Sequence, residues 1–139
     1  MSQYVPAAAT SAELATHVKF ASLHTFSNYS SQSQGAQPEA NLVVRDGVLY
    51  GTTYSRSTVF KITTAGKLTT LYTFNGVMDG TAPTAPLVLK SGVFYGTTSM
   101  GGASGLGAVF RMSPSGIGSI VHPFHGTGDG QTQSGAWSR

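Results

Sequence analysis

The chain reads as all-β, built from propeller-like, four-stranded antiparallel blades. Three observations say so. The string Leu49-Tyr50-Gly51-Thr52-Thr53 returns 45 residues later as Phe94-Tyr95-Gly96-Thr97-Thr98, and a period of that length belongs to propellers, solenoids and arrays. Short runs rich in Val, Thr, Phe and Tyr are punctuated by Asp46-Gly47, Ala65-Gly66, Ser91-Gly92 and Ser115-Gly116, the signature of strands joined by tight turns. Charged residues are only 9% of 139, while glycine supplies 18. An ordinary soluble domain carries about 25% charged residues, so this chain suits tight turns and covered faces better than a helical bundle or a disordered tail.

The flanks repeat with the central string. Pro38-Glu39-Ala40-Asn41-Leu42-Val43 matches Pro83-Thr84-Ala85-Pro86-Leu87-Val88 at the same spacing of 45. Beyond the Gly-Thr-Thr the spacing becomes 50: Thr58-Val59-Phe60-Lys61-Ile62 answers to Ala108-Val109-Phe110-Arg111-Met112, and Asp79-Gly80 to Asp129-Gly130. The second copy therefore carries five extra residues, in a glycine-rich run over 100–107.

Each copy predicts four strands, a to d. Strand a, over 41–44 or 87–90, is a continuous apolar run, as expected of a strand buried on both faces. Strand b covers 48–53 or 93–98. Strand c alternates, with Phe60 and Ile62 on one face and Val59 and Lys61 on the other. Strand d covers 67–74 or 119–124 and holds Pro123 in the second copy. Proline donates no ladder hydrogen bond, which puts d at the edge of its sheet.

Pro38, Ala40, Leu42, the run 49–53, Thr58, Val59, Phe60 and the run 74–80 carry a resemblance. They are similar to the Gloeobacter/Verrucomicrobia (GloVer) tandem repeat of bacterial secreted and surface proteins. The second copy carries the same pattern through 83–130, with Ala108 where the family has threonine. The resemblance implies a propeller-like β fold over 20–139. It implies no activity and no functional residue.

Residues 1–19 read as an N-terminal arm, polar and small, flexible or docked on the domain, although Ser11 could cap one or two helical turns over 11–17. The arm lacks the basic and apolar regions of a signal peptide, which is expected of an intracellular protein or of one whose leader has been removed. The β-repeat domain spans 20–139. It opens with Phe20-Ala21-Ser22-Leu23-His24-Thr25-Phe26, which matches 68–74 at a spacing of 48, an orphan strand d. Repeat one covers 36–80, repeat two 81–130, and 131–139 is the start of a third repeat, an orphan strand a. Two blades plus fragments do not close a ring, since propellers have about four to eight blades. Homo-oligomerisation is therefore expected, a dimer or more, with Phe20, Leu23, Phe26 and Trp137 at the interface. The competing reading is a fragment of a longer repeat protein.

Net charge is +3, but the eight Lys and Arg are scattered, with no basic patch for nucleic acid. Zero cysteine excludes disulfides and thiolate zinc sites. No apolar run approaches the ~20 residues of a membrane-spanning helix. Neither cofactor nor metal is expected: the four histidines lack convergent partners, and His122 and His125 do not share a face of an extended strand.

The candidate ligand-binding residues are Asp79, Asp129, Tyr50, Tyr95 and Trp137. Asp79 and Asp129 recur with the repeat, in Asp-Gly turns, on the face that also carries the 101–107 loop. Loops on a rigid scaffold are where binding concentrates. Tyr50, Tyr95 and Trp137 could stack on a sugar, although the tyrosines are fixed parts of the repeat and fit core packing better. No Gly-x-Ser-x-Gly nucleophile motif occurs. The reading is a non-catalytic binding or scaffolding protein, with a small carbohydrate or a protein as ligand. The alternative is a hydrolase with its site at the ring axis or between subunits, which needs two carboxyls brought together by folding.

Overall fold

The computed structural model describes residues 20–26 and 35–129. Eight strands form, in two sheets. Sheet one holds β1 (Val43–Arg45), β2 (Val48–Thr53), β3 (Thr58–Ile62) and β4 (Leu68–Thr73). Sheet two holds β5 (Val88–Lys90), β6 (Val93–Thr98), β7 (Ala108–Met112) and β8 (Gly118–Pro123). Each is a meander with neighbours paired antiparallel in chain order. No helix occurs among the described residues. The all-β class and the four-stranded repeat thus hold.

The turns follow from local chemistry. Asp46 and Gly47 have φ of 51° and 75°, and Ser91 and Gly92 have 50° and 77°. Positive φ at both central residues is the type I′ turn, whose twist matches that of the strands it joins. In both sheets the pairing slips by one residue at the same place, between Val59 and Phe60 and between Val109 and Phe110. That bulge adds twist to the last strand pair. Pro123 pairs with Ala108 at the outer edge of sheet two, where a missing N–H costs no ladder bond.

The first strand departs from its expected burial. β1 and β5 are edge strands of three residues each, and Leu42, Val44 and Val88 are exposed. An apolar run does not distinguish a covered central strand from an edge.

The core lies between the sheets. Tyr50, Val59 and Phe74 of repeat one pack with Leu87, Phe94, Phe110 and Met112 of repeat two. The rings of Tyr50 and Phe94 are 4.4 Å apart, and those of Phe74 and Phe110 meet edge to face at 4.9 Å. Burying a side chain such as Phe94 stabilises by about 1.5–3 kcal/mol. Gly51 and Gly96 make room for this packing. A methyl group on Gly51 would fall 2.7 Å from Phe60 Cζ, and one on Gly96 2.5 Å from Phe110 Cζ.

Segment 20–26 forms no strand, yet it sits on sheet one as β4 sits on sheet two. A methyl on Gly66 would lie 2.6 Å from the Leu23 carbonyl oxygen, and one on Gly116 2.6 Å from that of Leu71. Phe26 meets Phe60 edge to face at 5.3 Å, as Phe74 meets Phe110. The expected 1–19 arm and the 131–139 segment, with Trp137, lie outside the described residues.

Candidate functional site

The loops after β4 and β8 are each knotted by one aspartate. Asp79 Oδ1 accepts hydrogen bonds from the amides of Asn75 (2.9 Å) and Gly76 (3.2 Å), and Oδ2 accepts from the Tyr72 hydroxyl at 2.5 Å. Asn75 adds an Asx turn, its Oδ1 accepting from the Val77 and Met78 amides. Asp129 repeats the arrangement with the His125 amide at 2.8 Å, the Gly126 amide at 2.9 Å and His122 Nε2 at 3.3 Å. His122 stands where repeat one has Tyr72. Its ring also lies 6.4 Å from that of His125, because β8 ends at Pro123 and the chain turns, so strand alternation does not keep the two apart.

These contacts set the acid–base properties. The hydrogen bond to Asp79, helped by burial and by the carboxylate's charge, pushes the Tyr72 phenol up to about 12. The Asp129 carboxyl is held below the usual carboxylate range, chiefly by the His125 amide; burial opposes this, and the Gly126 amide and His122 reinforce it.

The glycine-rich loop joins the same end of the molecule. The Gly102 amide donates to the Gly76 carbonyl at 3.1 Å, the Phe124 amide to the Gly107 carbonyl at 3.0 Å, and Ser104 Oγ lies 3.0 Å from His125 Nδ1. Folding therefore gathers both acidic turns and the 101–107 loop, as expected where the connections after the second and fourth strands of a four-stranded meander leave the sheet at the same end. Hydroxyl groups tie the strands within a repeat and one repeat to the next. Thr53 and Thr58 share a hydroxyl hydrogen bond of 2.7 Å, and Ser57 and Thr81 one of 2.6 Å across the repeat boundary. Among the described residues every buried side-chain polar atom has a partner.

The remaining candidates separate. Tyr50 is buried in the core, whereas Tyr95, its counterpart, is half-exposed on the outer face of sheet two. Phe26 is half-buried against Phe60, Leu23 is exposed, and Phe20 is 98% exposed. Among the described residues no group of three or more His, Asp or Glu stands close enough to hold a metal ion.

Sequence reasoning passed over Tyr72 and Gly118. Tyr72, Phe74 and Asp79 border a cleft of about 140 Å³ whose far wall is Phe110, Met112, Gly118 and Ile120. Tyr72 was visible in principle, since an aromatic residue precedes the turn acid by seven positions in both repeats, Tyr72 before Asp79 and His122 before Asp129.

Two equivalent sheets, with equivalent knots at their connections, define a tandem β-repeat protein. The model of the Gloeobacter/Verrucomicrobia repeat matches residues 10–138, and the chain belongs to that family. No curated protein and no solved structure matches it.

Proposed function

We propose that the chain is a non-catalytic scaffolding protein whose sheets extend, by stacking against further copies, into a propeller-like assembly. One observation carries this reading. The outer face of sheet two repeats the residues that sheet one buries against its neighbour. Val59 is 0% and Thr52 2% exposed at the covered face, whereas their counterparts Val109 and Thr97 are half-buried and exposed. Val88, Lys90, Ser91, Val93 and Tyr95 surround an open hollow of about 410 Å³ on that outer face. Apolar β faces of this kind are covered in stable repeat arrays. The acids serve as acceptors that hold turns, which supports a structural role over a hydrolytic one.

Light scattering over a dilution series tests the proposal, with Tyr95→Lys as the comparison. The expected result is a dimer or larger species that persists on dilution and falls to monomer in the folded variant. A stable monomer, or a wild-type oligomer that Tyr95→Lys leaves intact, overturns stacking through this face.

A further inference from the structure

We infer that the cleft between β4 and sheet two is a binding site for a small organic cation, an alkyl- or arylammonium group with an apolar body. Gly118 is what leaves room for it. The corresponding residue of repeat one is Leu68, and both occupy the same register position, opposite Met112 and Ile62 respectively. Gly118 is not at positive φ, so the backbone there does not require glycine. A methyl group on it would lie 3.4 Å from the Arg111 carbonyl oxygen and 3.8 Å from both Met112 Cγ and Tyr72 Cε2, ordinary contact distances. The absent side chain is therefore space and not a conformational need.

The chemistry of the cleft selects the ligand. Its walls are the rings of Tyr72, Phe74 and Phe110 with the aliphatic bodies of Met112 and Ile120, and Arg111 and Ser119 also border it. Strand alternation sends the Arg111 side chain to the opposite face of β7 from Phe110 and Met112, where its Nε donates to Ser119 Oγ at 3.1 Å. The ionised side chain left at the cleft is Asp79, only 7% exposed. Its partners among the described residues are two backbone amides and a phenol, none of them cationic. A carboxylate accepts about four hydrogen bonds, so Asp79 has capacity for one more donor. A negative charge behind aromatic walls is complementary to an ammonium group, through charge and through the ring faces. The size fits: a dry cavity of about 150 Å³ accepts benzene. A sugar would bring more hydroxyls than Asp79 and Tyr72 can satisfy. The cleft lies within one chain, so this inference stands or falls apart from stacking between chains.

Benzylammonium chloride titrated into the full chain, followed by amide NMR, tests it. Saturable shifts are expected at Phe110, Met112, Gly118 and Ile120. Benzyl alcohol should bind about fivefold more weakly, and benzoate more weakly still. Gly118→Leu restores the repeat-one residue and should weaken benzylammonium about tenfold or more; Gly118→Ala, the smaller change, serves if the leucine variant does not fold. The inference is overturned if no shift saturates, or if a folded Gly118 variant binds like wild type. Benzoate or methyl glucoside binding as tightly as benzylammonium overturns it equally.

Discussion

Sheet one has a neighbour on both faces: segment 20–26 on one and sheet two on the other. Among the described residues, sheet two has a neighbour on one face only. Side chains at equivalent positions consequently live in different surroundings. Tyr50 is core and Tyr95 is half-exposed; Val59 is sealed and Val109 is not. The repeat specifies the same strands, type I′ turns and bulge in both sheets, so the difference in burial comes from stacking and not from the sheet itself. The hydrophobic stabilisation of each repeat resides largely in what covers it.

The largest test of that contrast is Phe94→Ala against Leu49→Ala, the same position in the two sheets. Phe94 is fully buried against Tyr50, and its loss should cost about 3–5 kcal/mol. Leu49 is half-buried and should cost less than half as much. Urea denaturation reads both, and equal costs would break the contrast. Tyr50→Ala should destabilise by about 3 kcal/mol, since it opens a cavity at the sheet interface. Tyr95→Ala, at a half-exposed position, should cost about 1 kcal/mol at high dilution, well below Tyr50→Ala. A rise in the Tyr95→Ala cost with protein concentration would sharpen the case for stacking.

The two aspartate knots differ in the same sense. Asp79→Ala removes a buried acceptor and unpairs three part-buried donors, and should cost about 1–3 kcal/mol. Asp129→Ala, at a solvated turn, should cost less in the same thermal melts. The smallest effects are in pH. The raised Tyr72 phenol gives stability that is fully present below the ordinary tyrosine value of about 10. That stability is lost as pH rises through about 12, and Tyr72→Phe should remove this slope. The depressed Asp129 carboxyl gives stability present above the ordinary carboxylate value of about 4 and lost as pH falls through its lower folded value. Asp129→Asn should flatten the acid limb of a stability–pH profile, and an unchanged limb would show that the knot is not held by charge.

Strands b and c and both type I′ hairpins were legible because their signals are local: alternation, and Asp-Gly or Ser-Gly at the turn. The edge position of β8 was legible from Pro123 alone. The exposure of β1 and β5 was not, because an apolar run carries no information about what lies beside it. The acidic turns were legible as turns, but the Tyr72 bond to Asp79 depends on how β4 returns over its own loop. The cleft at Gly118 was hidden for a different reason. A Leu68-to-Gly118 change looks like ordinary divergence between copies until the sheets are stacked and Tyr72 is found opposite it. The His122–His125 proximity was missed because the strand rule was applied past the end of the strand.

Each sheet carries two unlike faces: one with aromatic knobs such as Phe94 and Phe110, the other with the surface on Tyr50 and Val59 that receives them. The connection from β4 to β5 sets one against the other in a fixed order. A gene segment encoding one repeat, copied in tandem, therefore encodes its own fit to the copy before it and the copy after it.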